Sequence, residues 1–345
     1  MKFFNIDLHI SVIKDVKTIF QNLGHDVENY SLSSHNWIMN FPQLKSKILN
    51  KDNWHNIDDE MCDSFYEEYK NKLDKYDGFI VTHTPVFAKL YEKFNKPIIV
   101  IASTRYEFPY TFDKSKWDSL NIYLKTNKNI LLFSNNMFDK KYCELFLNKE
   151  VTLIESLCEY TNTKYTGKID NYIVFSKKNI DKYIFDKNII KKELLGTYSW
   201  QDVCDRKAVI HIPYNISTMS FFEQYYGNIP LFVPTKNLLM KLYDSDISTL
   251  SEISYMRVHN FGSTSLFNME DDPNQWNKKD NINKWINYAD FYNLKNVQYF
   301  DNLYDINFLD DFNFSNISTK MKEENSDRKL KVYNSWKNVI NSIKQ

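Results

Sequence analysis

The chain has 345 residues, 43% of them hydrophobic and 16% aromatic, and its 44 basic residues balance 44 acidic ones. Such a composition supports packed cores and excludes a disordered chain, while the length favours two domains over one. The even charge excludes a general nucleic-acid or polyanion binder, and six glycines are too few to spell a Gly-rich phosphate loop in the usual way.

Residues 3–6 read as a short strand, followed by Asp7, Leu8 and His9. Ile13, Val16, Ile19, Phe20 and Leu23 then share a helical stripe that Gly24 stops. With 26–31 as the next strand, this opening is a βαβ unit. Residues 33–56 are polar and interrupted, an excursion over the strand ends with Trp37, Phe41 and Trp54 as packing points. Met61, Cys62, Phe65, Tyr69 and Leu73 share a helical face, 78–82 is a strand, and Pro85 opens a helix carrying Phe87, Leu90, Tyr91 and Phe94. The run 97–102, PIIVIA, is the plainest buried strand, and the polar loop 103–107 follows it. Trp117, Leu120 and Leu124 mark a helix, 130–133 a strand, 137–147 a helix and 151–154 a strand. Strands alternating with helices in this way argue for a parallel sheet covered on both faces.

Residues 161–170 have no apolar periodicity and are the expected linker. A second α/β run opens with the strand 171–175, which ends in Ser176, Lys177 and Lys178. Its centre is 208–235. There a buried strand, 208–212, breaks at Pro213, Tyr214 and Asn215, and a helix starts around Ser217, Thr218, Met219 and Ser220. Glu223 lies in that helix's second turn, Gly227 and Asn228 supply a stop because both residue types tolerate the left-handed conformation, and 229–233 is a second apolar strand closed by Pro234. Further on, 254–258 reads as a strand, Ile282, Trp285, Ile286 and Ala289 as a helix, 297–300 as a strand and 321–343 as a long closing helix. The expected domains are 1–162, 171–320 and the helix 321–345. Cys62, Cys143, Cys158 and Cys204 lie far apart with no C-x-x-C pair, which fits reduced thiols. The opening residues lack a leader pattern and no run approaches the ~20 apolar residues of a membrane span, so a soluble, cytoplasmic protein is expected.

Ligands of open parallel sheets bind beyond the carboxyl ends of the strands, and the chemically able residues fall there. His9 is placed to act as a general base, or to cap a helix. Arg105 offers a fork for phosphate and Glu107 a second base, or the two form a surface ion pair. His83 and Thr84 follow another strand end, where a helix cap is the plainer role. In the second half the helix start at 217–220 is an anion site by its dipole and unpaired N–H groups, or an ordinary cap. Lys177 adds charge beside it, and Glu223 can accept hydrogen bonds from ribose hydroxyls. Asp244-Ser245-Asp246 has the letters of a metal-binding Asp-x-Asp but follows a helical pattern, so it reads as a loop and no metal is expected.

The stretch 208–235 resembles the donor-binding motif of GT-B fold glycosyltransferases: strand, loop, helix bearing Glu, glycine turn, apolar strand with Pro. Glu223 stands seven residues before Pro230, as in the familiar pattern. The resemblance implies two Rossmann-like α/β domains facing a central cleft, with a C-terminal helix crossing back to the first domain. It implies a metal-independent transferase that moves a sugar from a nucleotide-sugar such as a UDP-sugar to a sugar or glycan acceptor, with no cofactor. Glu223, Ser217, Thr218, Met219, Ser220, Tyr214 and Lys177 would hold the donor, and His9, Arg105 and Glu107 would serve catalysis. The slot two residues before Pro230, usually glycine, is Asn228, with Gly227 one place early. The upstream Glu of many retaining members is here Asn215, which leaves an inverting course with His9 as base favoured. A nucleotide-sugar epimerase of the same fold and a non-catalytic two-domain ligand-binding protein are the alternatives.

Overall fold

A computed structural model describes residues 1–178, 189–303, 309 and 311–344. The chain divides into two compact units, one of Met1–Tyr160 with Leu330–Gln345 and one of Thr161–Lys329.

The first unit is built from β1 (Lys2–Asp7), α1 (Ile10–Asn22), β2 (Asp26–Ser31), α2 (Asp59–Leu73), β3 (Gly78–Val81), β4 (Ile98–Ala102), α3 (Lys114–Thr126), β5 (Ile130–Ser134), α4 (Met137–Leu147) and β6 (Thr152–Leu153). Its six strands run in the order β2-β1-β3-β4-β5-β6, and every pair is parallel. Helices cover a parallel sheet on both faces, so its strands are continuous apolar runs, and all five residues of β4 are buried. Between β3 and β4 the helix Pro85–Phe94 is wound as a tighter 3₁₀ turn, and its Tyr91 stacks on Phe79 with ring centroids 4.3 Å apart. Asp58, Asp113 and Asn136 each accept a backbone N–H at the start of α2, α3 and α4, caps worth about 1 kcal/mol each.

The second unit contains β7 (Ile169–Phe175), β8 (Ile189–Lys191), α5 (Trp200–Cys204), β9 (Arg206–His211), α6 (Met219–Tyr226), β10 (Leu231–Pro234), α7 (Lys236–Asp244), α8 (Tyr255–Val258), α9 (Lys279–Trp285), α10 (Asp290–Asn293) and β11 (Gln298–Phe300). Its strand order, β11-β10-β9-β7-β8, is again wholly parallel. Counted from its own first strand, the first unit therefore follows the doubly wound order 2-1-3-4-5-6 and the second 2-1-3-4-5. The last helix, α11 (Phe314–Ile343), gives its residues up to Lys329 to the second unit and the rest to the first. In the first unit Trp336 packs on Phe20 and Phe133, both at 5.3 Å between centroids.

Two local readings of the sequence need correction. Residues 254–258 form the helical turn α8, not a strand: Val258 and His259 donate to the carbonyls of Ser254 and Tyr255. Tyr and Val favour strands only where a neighbouring strand pairs with them, and this segment has none among the described residues. The region after β7 also carries β8 and α5, for which the reading had no element. Ser199 and Asp202 form a reciprocal capping box at the start of α5, a Ser-x-x-Asp signal visible in the sequence.

The turn between α6 and β10 assigns separate tasks to its two residues. Asn228 adopts the left-handed conformation, with φ 58°, so the residue in the slot usually filled by glycine supplies the geometry. Gly227 is right-handed, with φ −64°, and is needed for space. A Cβ there would lie 2.4 Å from Cys204 Sγ. Gly227→Ala is expected to destabilise the second unit by about 1–3 kcal/mol, and adding Cys204→Ala should recover part of that loss in a denaturation series. Equal stability of Gly227→Ala and the parent would show that the contact does not constrain the turn.

Candidate functional site

Each sheet has a topological switch point, the place beside its first strand where the chain changes direction across the sheet and where ligands of such folds bind. In the first unit it lies between β1 and β3. His9 follows β1 and His83 follows β3, and their rings lie 5.3 Å apart at a tilt of 32°. Both residues are partly exposed.

Asp7 holds the two strand ends together. Its Oδ2 accepts the backbone N–H groups of Thr82 (2.7 Å), His83 (3.0 Å) and Thr84 (3.3 Å), and its Oδ1 accepts that of Leu8 (2.8 Å). The carboxylate is fully buried, and burial pushes its pKa up while these donors pull it down. It anchors the His83 loop and makes no hydrogen bond to His9. His9 occupies the cap position of α1 without capping it by its side chain, and its Nδ1 is buried with no hydrogen-bond partner. His83 Nδ1 pairs with Thr84 Oγ1 at 3.1 Å. Burial lowers the His9 pKa to about 3, with His83 adding to the shift and Asp7 opposing it. Burial alone lowers that of His83 to about 4. Two neutral imidazoles therefore sit at the switch point, one with an unused ring nitrogen.

Arg105 and Glu107 follow β4. They are 1% and 0% exposed, and the guanidinium closes on Glu107 Oε1 through Nε at 3.0 Å and Nη2 at 2.9 Å. Thr111 and Tyr142 donate to the same oxygen, whereas Oε2 is buried without a partner. Burial raises the Glu107 pKa against the pull of Arg105. The sequence presented this pair as a phosphate clamp and a second base, or as a surface ion pair. The structure has an internal ion pair, with the Arg105 fork turned onto Glu107.

In the second unit the switch point lies between β7 and β9. Lys177, past β7, lies over the Tyr214 ring, past β9, at 3.8 Å from its centroid. Burial and then the nearby Lys192 lower the Lys177 pKa, opposed by Glu252, so the site favours the arrival of negative charge. Glu223, on α6, is 5% exposed and is not on a solvated helix face. Its charge helps to raise the pKa of both Tyr198 and Tyr214, behind burial as the main cause, which places all three in one neighbourhood. At the head of α6, Thr218 holds the cap position without a side-chain cap bond and accepts from Ser220 Oγ at 3.2 Å. Ser217 donates its hydroxyl to the buried Asp290. Met219 begins the helix and is buried.

Several members of this neighbourhood were not among the residues picked from sequence. Tyr198 and Trp200 are partly exposed, edge to face at 5.9 Å, and Trp200 is parallel to Phe175 at 6.2 Å. His211 closes β9, stacks on Phe175 at 6.4 Å, and pairs through Nδ1 with Gln224 Oε1 at 3.2 Å. Burial lowers its pKa to about 4. Asn215 Nδ2 donates to Glu252 Oε1 at 3.0 Å, and Asn215 Oδ1 accepts the Glu252 N–H at 2.9 Å. A carboxylate thus reaches the Asn215 position from a distant loop. The Asp-x-Asp letters lie at the end of α7, where Asp244 pairs with Lys279 at 2.9 Å and Asp246 with Arg257.

The imidazoles of His9, His83 and His211 carry a pH consequence. Unfolded histidine gains a proton below about pH 6.5, while His9, His83 and His211 stay neutral to about 3, 4 and 4. The unfolded chain then binds more protons, so each imidazole withdraws up to about 1.4 kcal/mol of stability per pH unit as pH falls below 6.5. Asp15, raised to about 6 by burial, works the other way between pH 6 and its unfolded value near ~3.9. Asp7 and Glu107, also raised by burial, act with Asp15, so the test is differential: from pH 7 to 5 the Tm of His211→Asn should fall less, or rise more, than that of the parent. A pH dependence of Tm that His211→Asn leaves unchanged would contradict this account.

No protein-family model matches the chain, and no curated protein matches it in sequence. Solved structures do match. The glycosyltransferase SnogD from Streptomyces nogalater is similar over 98% of this chain and 98% of its own, at 9% identity and a TM-score of 0.50. The kitacinnamycin glycosyltransferase covers the same shares at 8% identity and 0.47. CalG4, the calicheamicin glycosyltransferase, covers 99% and 98% at 8% and 0.43. At these identities likeness speaks of architecture, and SnogD carries it: the chain has the α/β fold of the GT-B glycosyltransferases.

Proposed function

We propose that this protein transfers a sugar from a nucleotide-diphosphate-sugar to an acceptor hydroxyl, with inversion. The observation that carries the reading is the arrangement at the β7/β9 switch point, where a cation, a helix start, a buried carboxylate and aromatic rings gather in one unit. Glu223 accepts hydrogen bonds from the ribose, the opening N–H groups of α6 and Lys177 hold the diphosphate, and Tyr198 with Trp200 offers ring faces to the base. Helix end and ammonium stabilise the leaving diphosphate in this scheme, which requires no divalent ion. His9, partly exposed at the β1/β3 switch point, takes the acceptor's proton.

The test is a thermal-shift screen against UDP-, GDP-, TDP- and CMP-sugars, followed by calorimetry on the best donor. Ligand at about 100 times its dissociation constant should stabilise the fold by about 2.7 kcal/mol, and Glu223→Ala should weaken binding by about tenfold or more, because a hydrogen bond to a charged group contributes about 1.5–3 kcal/mol. Unchanged affinity in Glu223→Ala would end the ribose assignment. Incubation with donor alone separates transfer from epimerisation, which would convert the donor without an acceptor.

A further inference from the structure

The second unit holds a cavity of about 340 Å³ away from the candidate donor site. Lys164 precedes β7 and Asn228 precedes β10, so this cavity lies at the amino-terminal edge of the sheet. Its size is at the low end of ordinary small-ligand pockets, about 300–1,000 Å³. Lys164, Lys322 and Lys329 line it; every other lining group is a hydroxyl or amide residue, and none is a carboxylate.

On a chain whose charges balance, Lys164 and Lys322 in a lining that holds no carboxylate are a local excess that favours a negative occupant. Ser318, Lys322, Asn325 and Lys329 follow at spacings of four, three and four residues, which puts them on one face of α11. Lys322 and Lys329 are two turns apart, about 10 Å along the axis. The neighbouring acid Glu324 is engaged elsewhere, with Lys295 at 2.8 Å. Lys164 and Lys322 enter no ion pair among the described residues. Nor are the ammonium groups needed to cap α6, because the Tyr225 carbonyl already accepts Asn228 N at 3.0 Å and Asn325 Nδ2 at 2.7 Å. Asn325 also gives Asn228 Oδ1 a hydrogen bond at 2.8 Å, and Asn228 lines the cavity. Arg328, 4% exposed, donates to Asn325 Oδ1 at 2.8 Å and so holds that side chain in place.

We propose that this cavity binds a small, multiply charged phosphate compound whose recognised unit is a diphosphate. Lys164 and Lys322 meet its charge, and the side chains of Ser318 and Asn228 donate to its oxygens. The site is separate from the proposed donor site and does not depend on it.

Calorimetry with inorganic pyrophosphate tests the proposal. Lys177→Gln disables the candidate diphosphate contact at the other edge, and pyrophosphate should still bind that variant. Lys164→Gln with Lys322→Gln, both exposed positions, should weaken binding by about tenfold or more, and added salt should weaken it in the parent. Absence of pyrophosphate binding in Lys177→Gln, or binding that survives the double lysine change, overturns the proposal. Sedimentation with phosphatidylcholine vesicles containing phosphatidic acid distinguishes the source. Co-sedimentation lost in the double variant assigns a lipid headgroup, and pyrophosphate binding without co-sedimentation assigns a free compound.

Discussion

His9→Ala is expected to reduce turnover by about 10²–10⁴-fold, the range for removing a general base, with donor affinity and stability retained. Stability should hold because the side chain makes no cap bond to α1 and its Nδ1 has no partner. Removing an unsatisfied buried polar atom has no hydrogen bond to lose. The pH profile sharpens the test. A free imidazole base would give an acid limb near pH ~6.5. Here the folded pKa is lowered to about 3, so the neutral, proton-accepting form persists and kcat/KM should be flat from pH 8 to about 5. Unchanged turnover in His9→Ala would remove this residue from the chemistry. Turnover that survives His9→Ala but is lost in His83→Asn would move the base to His83.

Pairing of His9 with His83 depends on β1 lying beside β3, and no local pattern carries strand order. The sequence placed both residues at strand ends and stopped there. Strands were easier to read, since a strand covered on both faces is a continuous apolar run, as 98–102 is. Where the run shrinks to the three residues of β8, or a helix to the five of α5, periodicity has too few positions to register. The Ser199–Asp202 box was the available signal for α5, and with it for Trp200 and its neighbour Tyr198. Asn215 and Glu252 meet across 37 residues of chain, a contact that spacing could not reveal. The turn before β10 was readable by chemistry, because asparagine adopts the left-handed conformation more readily than most residues do, and Asn228 does so. Residue type also suggested Arg105 as a phosphate ligand. Its burial depends on packing, which turns the guanidinium onto Glu107.

Arg105→Met should destabilise the first unit by about 3–5 kcal/mol, the usual result of removing one partner from a buried ion pair. The change leaves Glu107 in a site with no exposure, its Oε1 still hydrogen-bonded by Thr111 and Tyr142 and its Oε2 with nothing. Two carbonyl–amide turns hang on this loop, with Phe108 N donating to Arg105 O at 3.0 Å and Tyr110 N to Glu107 O at 2.7 Å. Loss of the pair therefore loosens the segment that follows β4. Glu107→Met alone strands the guanidinium and should be as damaging. The double change Arg105→Met with Glu107→Met replaces both charges by apolar groups, so much of the loss should return, and a denaturation cycle reads the coupling directly. A phosphate clamp predicts the opposite pattern: Arg105→Met would fold with near-normal stability, lose turnover, and gain nothing from a second change at Glu107. Stability and turnover, measured on the same three variants, decide between an internal brace and a ligand contact.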